Sequence, residues 1–350
     1  MTVGNRTDRR RLLDLKGGGW VILIAAVLAI LALAQGLVVI FKPGRSAAIG
    51  DGKNTPTYGF DLTNCLVEGI VASGLPKDGL QALSNPRHLG ADELDSLGQR
   101  KFLVPGDRVV GVEIEGQSRA YPLSILSWHE IVNDNLAGRP IAVTYSPLCD
   151  SVVVFDGRVD GEIVELGFSG LLYNSNLIMY DRQAGGRRES LWSQLQSRAV
   201  SGRLAGRPLT VLHASLIRWA DWRALHPDTT VVVGVTEMGR EYRRNPYSSY
   251  YGSDELKFAV SPLPPSRPYK KQIIVVTVDG SRRVYSLDAI ATRAGASRRW
   301  SVQQGRAHLT FDYSLDPPTV RVSADASVEV IYAFWFAWYS THPGDRIWDE

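Results

Sequence analysis

Two residues, His129 and Cys149, combine reactive side chains with a defined place in the chain. His129 lies in SWHEIVND, within a helix that the sequence predicts to begin at Pro122 and to end near Asn133. Imidazole can ligate a metal or act as a general acid/base near neutral pH, and the adjacent Glu130 is a further catalytic candidate. The alternative is a structural histidine at a helix end, hydrogen-bonded to a neighbouring loop.

Cys149 lies on a proline-containing turn, TYSPLCDS, between the predicted strands IAVTY and SVVVF. Three roles are compatible with this position: a thiolate ligand or nucleophile, a disulfide with Cys65 in an oxidising compartment, or a buried side chain. We expect no bond to Cys65, and a Cys149 sulfur within about 8 Å of the His129 ring. Such a pair would suit copper or zinc, because both metals accept imidazole and thiolate.

The segment GFSGLLYNSNLIMYDR concentrates small hydrogen-bonding groups beside glycines. It can line a polar pocket, or it can consist of Asx turns between strands. Its candidate ligand-binding residues are Tyr173, Asn174, Asn176 and Asp181.

Composition and missing signatures exclude several functional classes. The net charge is only +3 and no long basic stripe runs through the body, so nucleic acid is not an expected partner. Two cysteines cannot build a disulfide-rich scaffold or a four-thiolate zinc site. There is no P-loop, no G-x-S-x-G and no C-x-x-C-H; His129-Glu130 begins like H-E-x-x-H, but Asn133 replaces the second histidine.

An apolar segment, residues 20–41, precedes the part of the chain that contains these candidate residues. Its sequence is WVILIAAVLAILALAQGLVVIF. It has no charged residue and is long enough for one membrane-spanning helix. The arginine-rich tail, 1–19, predicts a cytoplasmic N-terminus. We therefore expect a single-pass protein of the inner or plasma membrane, with its body in the periplasm or at the cell exterior. A cleaved signal peptide is the alternative.

The body beyond the linker 42–58 contains three pairs of similar segments in the same order. VEIEGQSRAYPLSIL matches VTVDGSRRVYSLDAI, AVTY matches HLTF, and WADWRALHP matches WFAWYSTHP. The acidic-Gly pairs predict hairpin turns, and the Trp-Trp-His spacing favours one buried helix face. We predict a duplicated α+β unit: 59–238 with an insertion at 146–205, connecting loops at 239–272, and 273–350.

The duplication also distinguishes candidate functional residues, since a residue needed only for the fold should recur in both copies. In the ungapped match, Arg293 stands opposite His129, so the second copy lacks this imidazole.

These segments together resemble the family catalogued as Domain of Unknown Function 3179. The resemblance rests on AYPLSILSWHEIVNDNLAGRPIAVTYSPLC, SVVVFDGRVDG, FSGLLYNSNLIMYDR, LWSQL, WRALHPDT and FWFAW. It implies a bacterial or archaeal extracytoplasmic protein without an established activity. The family pattern at the turn is Cys-Pro-Leu-Cys, whereas Ser146 stands at the first position here.

The loss of that dithiol favours a binding or accessory subunit of unknown ligand, docked on a membrane complex. The alternative function is a copper- or zinc-dependent enzyme or metal-binding protein that uses His129 and Cys149.

Overall fold

The computed structural model describes residues 58–96, 103–182, 189–235 and 241–348. They form a mixed α+β fold in which strands predominate, in agreement with the predicted fold class. Within these ranges no helix has the length and apolarity needed to cross a bilayer. The predicted membrane segment 20–41, the tail before it and all but one residue of the linker lie outside the described residues.

The first part of the body contains two hairpins and two short helices before the Cys149 turn. Its elements are β1 (Ile70–Ala72), β2 (Leu83–Ser84), β3 (His88–Gly90), α1 (Ala91–Ser96), β4 (Arg108–Ile114), β5 (Gln117–Pro122), α2 (Leu123–His129), β6 (Ile131–Leu136), β7 (Arg139–Ser146) and β8 (Ser151–Asp156).

Short strands and one helix follow. They are β9 (Arg158–Val159), β10 (Glu162–Ile163), β11 (Leu166–Tyr173), β12 (Asn176–Asp181), β13 (Leu191–Ser193), β14 (Arg198–Ser201), β15 (Val211–Leu212), β16 (Ser215–Arg218), α3 (Trp219–Leu225) and β17 (Thr230–Val232).

From β18 onward, the last part repeats the order that runs from β4 to α3 earlier in the chain: a hairpin, a helix, three strands, and later a strand followed by a helix. It comprises α4 (Ser248–Tyr251), β18 (Gln272–Val278), β19 (Ser281–Ser286), α5 (Leu287–Ala294), β20 (Arg299–Gln304), β21 (Ala307–Leu315), β22 (Pro318–Ala324), β23 (Glu329–Phe334) and α6 (Trp335–Thr341).

Two large sheets each draw strands from both parts of the chain. Sheet I has the order β19-β18-β23-β8-β7-β6-β2, with β15 paired to β8. Sheet II has the order β20-β21-β22-β16-β4-β5-β17-β3. A third sheet, sheet III, is β1-β11-β12-β13-β14. Side chains from sheets I and II share one hydrophobic core, which includes Val110, Tyr145, Phe311 and Tyr332.

The outer faces of the two large sheets differ in polarity. Strands β6–β8 are buried on both faces, because small and apolar residues such as Ala142 and Val153 face sheet III. Strands β20–β22 alternate between buried and more exposed residues, and Asp312 and Arg321 are only partly buried. The meander β20–β22 therefore presents a polar outer face.

The predicted hairpin turns are confirmed at both acidic-Gly pairs. Glu115 and Gly116 have φ of 49° and 78°, and Asp279 and Gly280 have 48° and 77°. Two successive positive φ values are the mark of the type I′ turn, whose twist matches that of the flanking strands.

The predicted end of the first helix near Asn133 was wrong. Helix α2 ends at His129, and Glu130 has a left-handed φ of 57°. The chain then continues as β6, because the β-branched pair Ile131-Val132 suits a strand buried on both faces. His129 and Asn133 thus do not share a helix face.

The two Trp-Trp-His faces are packed as the sequence predicts. The Trp222 and His226 ring centroids are 4.0 Å apart, and those of Trp338 and His342 are also 4.0 Å apart. A Cβ on Gly111 would lie 2.3 Å from the Trp222 ring. Helix α3, which carries Trp222, can therefore pack against sheet II only because residue 111 is a glycine.

Candidate functional site

His129 is held at the end of α2 by hydrogen bonds to both ring nitrogens. Its Nδ1 donates to the Gln81 carbonyl at 2.6 Å, and its Nε2 accepts from the Tyr242 hydroxyl at 2.7 Å. Burial lowers the pKa of His129, and the Gln81 contact opposes this shift. The ring is therefore neutral at physiological pH, and a metal could bind it only by displacing one of these partners.

Cys149 ends a short 3-10 turn, 147–149, between β7 and β8, as predicted, and its side chain is fully buried. Burial raises the pKa of the Cys149 thiol far above its usual range, while contacts with Asn176 and Ser146 act in the opposite direction. The thiol stays protonated, which disfavours a nucleophile or a thiolate ligand.

The two cysteines are both free, so the alternative of a Cys65–Cys149 disulfide was wrong. Cys65 packs against a second hydrophobic cluster, which is built largely from sheet III and includes Leu171 and Ile178. Its thiol donates to the Val67 carbonyl.

A tyrosine-rich segment covers the Cys149 turn. Tyr250 donates to the Leu148 carbonyl and Tyr251 to the Pro147 carbonyl, both at 2.9 Å. Both residues belong to α4, in a stretch that the sequence assigned only to connecting loops. The signal for this role was the density of tyrosines in YRRNPYSSYYG.

Glu130 lies beside this turn, and it is buried. Its carboxylate accepts from the Tyr247 hydroxyl at 3.5 Å, and no cation pairs with it among the described residues. Burial raises the pKa of Glu130 to about 8, and the Tyr247 contact opposes this shift. Glu130 is close enough to influence the pKa of Cys149.

The site therefore brings together Glu130, Cys149 and Asn176 of the predicted residues. His129 and Cys149 share no hydrogen-bonding partner among the described residues, and a Cys149 sulfur within about 8 Å of the His129 ring stays a prediction. Within all four described ranges, no three His, Cys, Asp or Glu residues are grouped so as to hold a metal ion.

Asp150 is a buried member of the site that the sequence did not indicate. Its carboxylate accepts from Arg108 at 2.9 and 3.1 Å, from Tyr145 at 2.7 Å and from Gln272 at 2.9 Å. A bidentate arginine and two further donors compensate the buried charge. This network ties the Cys149 turn to β4 and β18.

A model of the family described as "Protein of unknown function (DUF3179)" matches residues 77–323. The chain belongs to this family. The matched stretch contains the Cys149 turn, its tyrosine cover and all but the last residue of the meander β20–β22. No curated protein and no solved structure matches the chain.

The predicted ligand-binding residues of this DUF3179 member are mostly engaged within the protein. Asn174 and Ser175, with φ of 51° and 66°, form the β11–β12 turn, and Asn174 accepts from Ser261 N at 2.9 Å. Asn176 donates to Ser151 and to Gln194, and Asp181 accepts from the Ser190 amide.

Tyr173 is the one of these four candidates that is not buried. This geometry favours turns between strands over a pocket.

An open cleft of about 580 Å³ lies on sheet II, between α3 and the meander β20–β22. Its volume is in the range of small-molecule sites. Its lining includes Ile217, Asp221, Ala224, Leu225, Ser297, Arg298, Arg299, Asp312, Ser314 and Arg321. None of the residues predicted from the sequence lines it.

Proposed function

We propose that residues 108–225 and 272–341 are two copies of one α+β unit, as the sequence pattern predicts. The order of hairpin, helix, meander, strand and helix is the same in both. The last strand of each unit pairs with its own hairpin and with the meander of the other unit. Because the last strand of each unit is hydrogen-bonded to the other unit, the two units form one folded body.

The backbone hydrogen bonds support this equivalence and refine it. Tyr145 N donates to the Glu130 carbonyl and Tyr313 N to the Arg298 carbonyl, both at 2.8 Å. Tyr145 therefore corresponds to Tyr313, two residues beyond the partner in the AVTY–HLTF match.

The strand pairs extend the same register. Ser146 pairs with Ser151, and Ser314 with Thr319. We accordingly place the insertion between β8 and β15 rather than at 146–205, because β8 then has β22 as its counterpart.

We further propose that the protein is a membrane-anchored, extracytoplasmic binding or accessory subunit. One observation carries this proposal: the candidate residues His129 and Cys149 are engaged inside the protein, whereas the open cleft on sheet II lies elsewhere. His129 has no free ring nitrogen, and the Cys149 thiol is buried and protonated. The segment 20–41 would hold the body at the bilayer, where a membrane complex is the expected partner.

Two measurements test this function. Elemental analysis of the purified full chain should find no stoichiometric copper or zinc, in wild type and in Cys149→Ser alike. A bound metal that is lost in His129→Ala would support the metal-dependent alternative instead. Protease added to intact spheroplasts should digest the body, and protection of the body would contradict the proposed orientation.

A further inference from the structure

The cleft on sheet II corresponds to a surface of sheet I that the protein itself covers. There, Leu177 N donates to Ser146 Oγ at 3.3 Å and the Gln194 amide donates to Thr144 Oγ1 at 2.9 Å. Both donors come from the insertion between β8 and β15. In the register given above, Ser314 stands in the place of Ser146, and it lines the open cleft. The second unit has no insertion to fill the equivalent space.

The acidic side chains in the cleft are already neutralised. Asp312 pairs with Arg299 at 2.7 Å and with Arg321 at 3.2 Å. Asp221 pairs with Arg218 at 2.7 Å and accepts from Ser314 at 2.8 Å. These carboxylates have little capacity left for a cationic ligand.

Arg298 is the cation of this cleft without a carboxylate partner. Within the described ranges it makes no ion pair, although it lines the cleft and is exposed. Arg298 ends the turn that follows α5 and has a left-handed φ of 54°. This backbone conformation determines the direction in which its side chain leaves the chain. A planar guanidinium in this position can bind a carboxylate with two parallel hydrogen bonds.

The opposite wall belongs to α3 and β16, and beyond the paired Asp221 it is apolar. Leu225 is 47% exposed, although it is a large hydrophobic residue, and Ala224 and Ile217 continue the wall. An apolar ligand group against Leu225 would remove this surface from water.

We propose that this cleft binds a small amphiphilic monoanion, with a carboxylate on Arg298 and an apolar body against Leu225. This inference rests on the proposed binding function and names the chemical class of its ligand. The two contacts require a ligand that carries both groups, so neither a simple anion nor an apolar cation should satisfy the site.

The test is calorimetric titration of the full chain in detergent with three probes: 4-phenylbutyrate, acetate and 4-phenylbutylamine. We expect 4-phenylbutyrate to bind more tightly than the other two. Arg298→Asn should weaken its binding about tenfold, since a charge-assisted contact is lost. Asparagine is chosen because it tolerates a positive φ. Leu225→Asp should also weaken binding, because it places a negative charge at the apolar wall.

Arg306→Gln is the matched control, since this arginine pairs with Asp279 and does not line the cleft. The proposal is overturned if 4-phenylbutyrate does not bind, if acetate or the amine binds equally well, or if Arg298→Asn binds 4-phenylbutyrate as tightly as wild type or no more weakly than Arg306→Gln. Such a result rejects the ligand class alone. The binding function itself fails separately, through a bound metal that depends on His129.

Discussion

Glu130 and Arg298 hold similar places in the two large sheets, because Glu130 directly precedes β6 and Arg298 directly precedes β20, and both have a left-handed φ. Their φ values are 57° and 54°, and the carbonyl of each accepts a 2.8 Å hydrogen bond from a tyrosine amide, in β7 for Glu130 and in β21 for Arg298. Glu130 is buried beside Tyr247, whereas Arg298 is exposed in the cleft. Similar positions therefore hold a covered acid beside one sheet and an accessible cation beside the other.

Replacing Glu130 by glutamine should stabilise the protein increasingly as pH rises. Because the folded-state pKa is about 8 and the ordinary value is 4.5, the folded state holds more protons between these values. Wild-type stability therefore falls as pH rises through this window, with a slope of at most about 1.4 kcal/mol per pH unit. Urea unfolding of both proteins from pH 5 to 8 measures the difference.

The exposed Glu162 provides the control for that experiment. Glu162→Gln should change stability little and without a trend in pH. If the difference between Glu130→Gln and wild type stayed constant from pH 5 to 8, Glu130 would not have the raised pKa.

His129→Ala should destabilise the fold by about 2–4 kcal/mol, because the Gln81 carbonyl loses its imidazole donor and the Tyr242 hydroxyl loses its buried acceptor. Tyr242→Phe removes the contact with His129 and the hydrogen bond that the hydroxyl accepts from Val235 N, and should cost about 1–3 kcal/mol. In a double-mutant cycle the two losses should not add, because the residues share a hydrogen bond. Strict additivity would indicate that His129 has its main partner elsewhere.

The Cys149 thiol should be unreactive in the folded protein. In Cys65→Ser, a thiol reagent should label about one group per chain only after a denaturant is added, since burial protects Cys149 and keeps it protonated. The absorbance of the thiolate that the reagent releases measures the extent of the reaction. Rapid labelling under native conditions would mean that the tyrosine cover opens readily and would revive the nucleophile hypothesis.

Gly111→Ala should destabilise the protein by about 1–3 kcal/mol, because the new methyl group overlaps the Trp222 ring. Gly90→Ala is the matched control in the same sheet, since nothing lies within 4 Å of a Cβ there. Thermal unfolding of both variants measures the difference. Equal midpoints would show that α3 can move away from sheet II without loss.

The sequence alone was sufficient where structure depends on neighbouring residues. The acidic-Gly pairs predicted both I′ hairpins because turn type depends on two adjacent residues. The turn at Cys149 and the buried Trp222 and Trp338 followed from proline placement and from helical spacing.

Only the tertiary structure decided what these residues do. The partners of His129 are Gln81 and Tyr242, and the cover of Cys149 is the segment around Tyr251, all distant along the chain. Whether an imidazole or a thiol is available depends on burial and on hydrogen bonds that such distant segments supply. No local pattern of types and spacings encodes those contacts, so the two residues predicted a reactive site from the sequence, whereas in the structure both are buried and hydrogen-bonded.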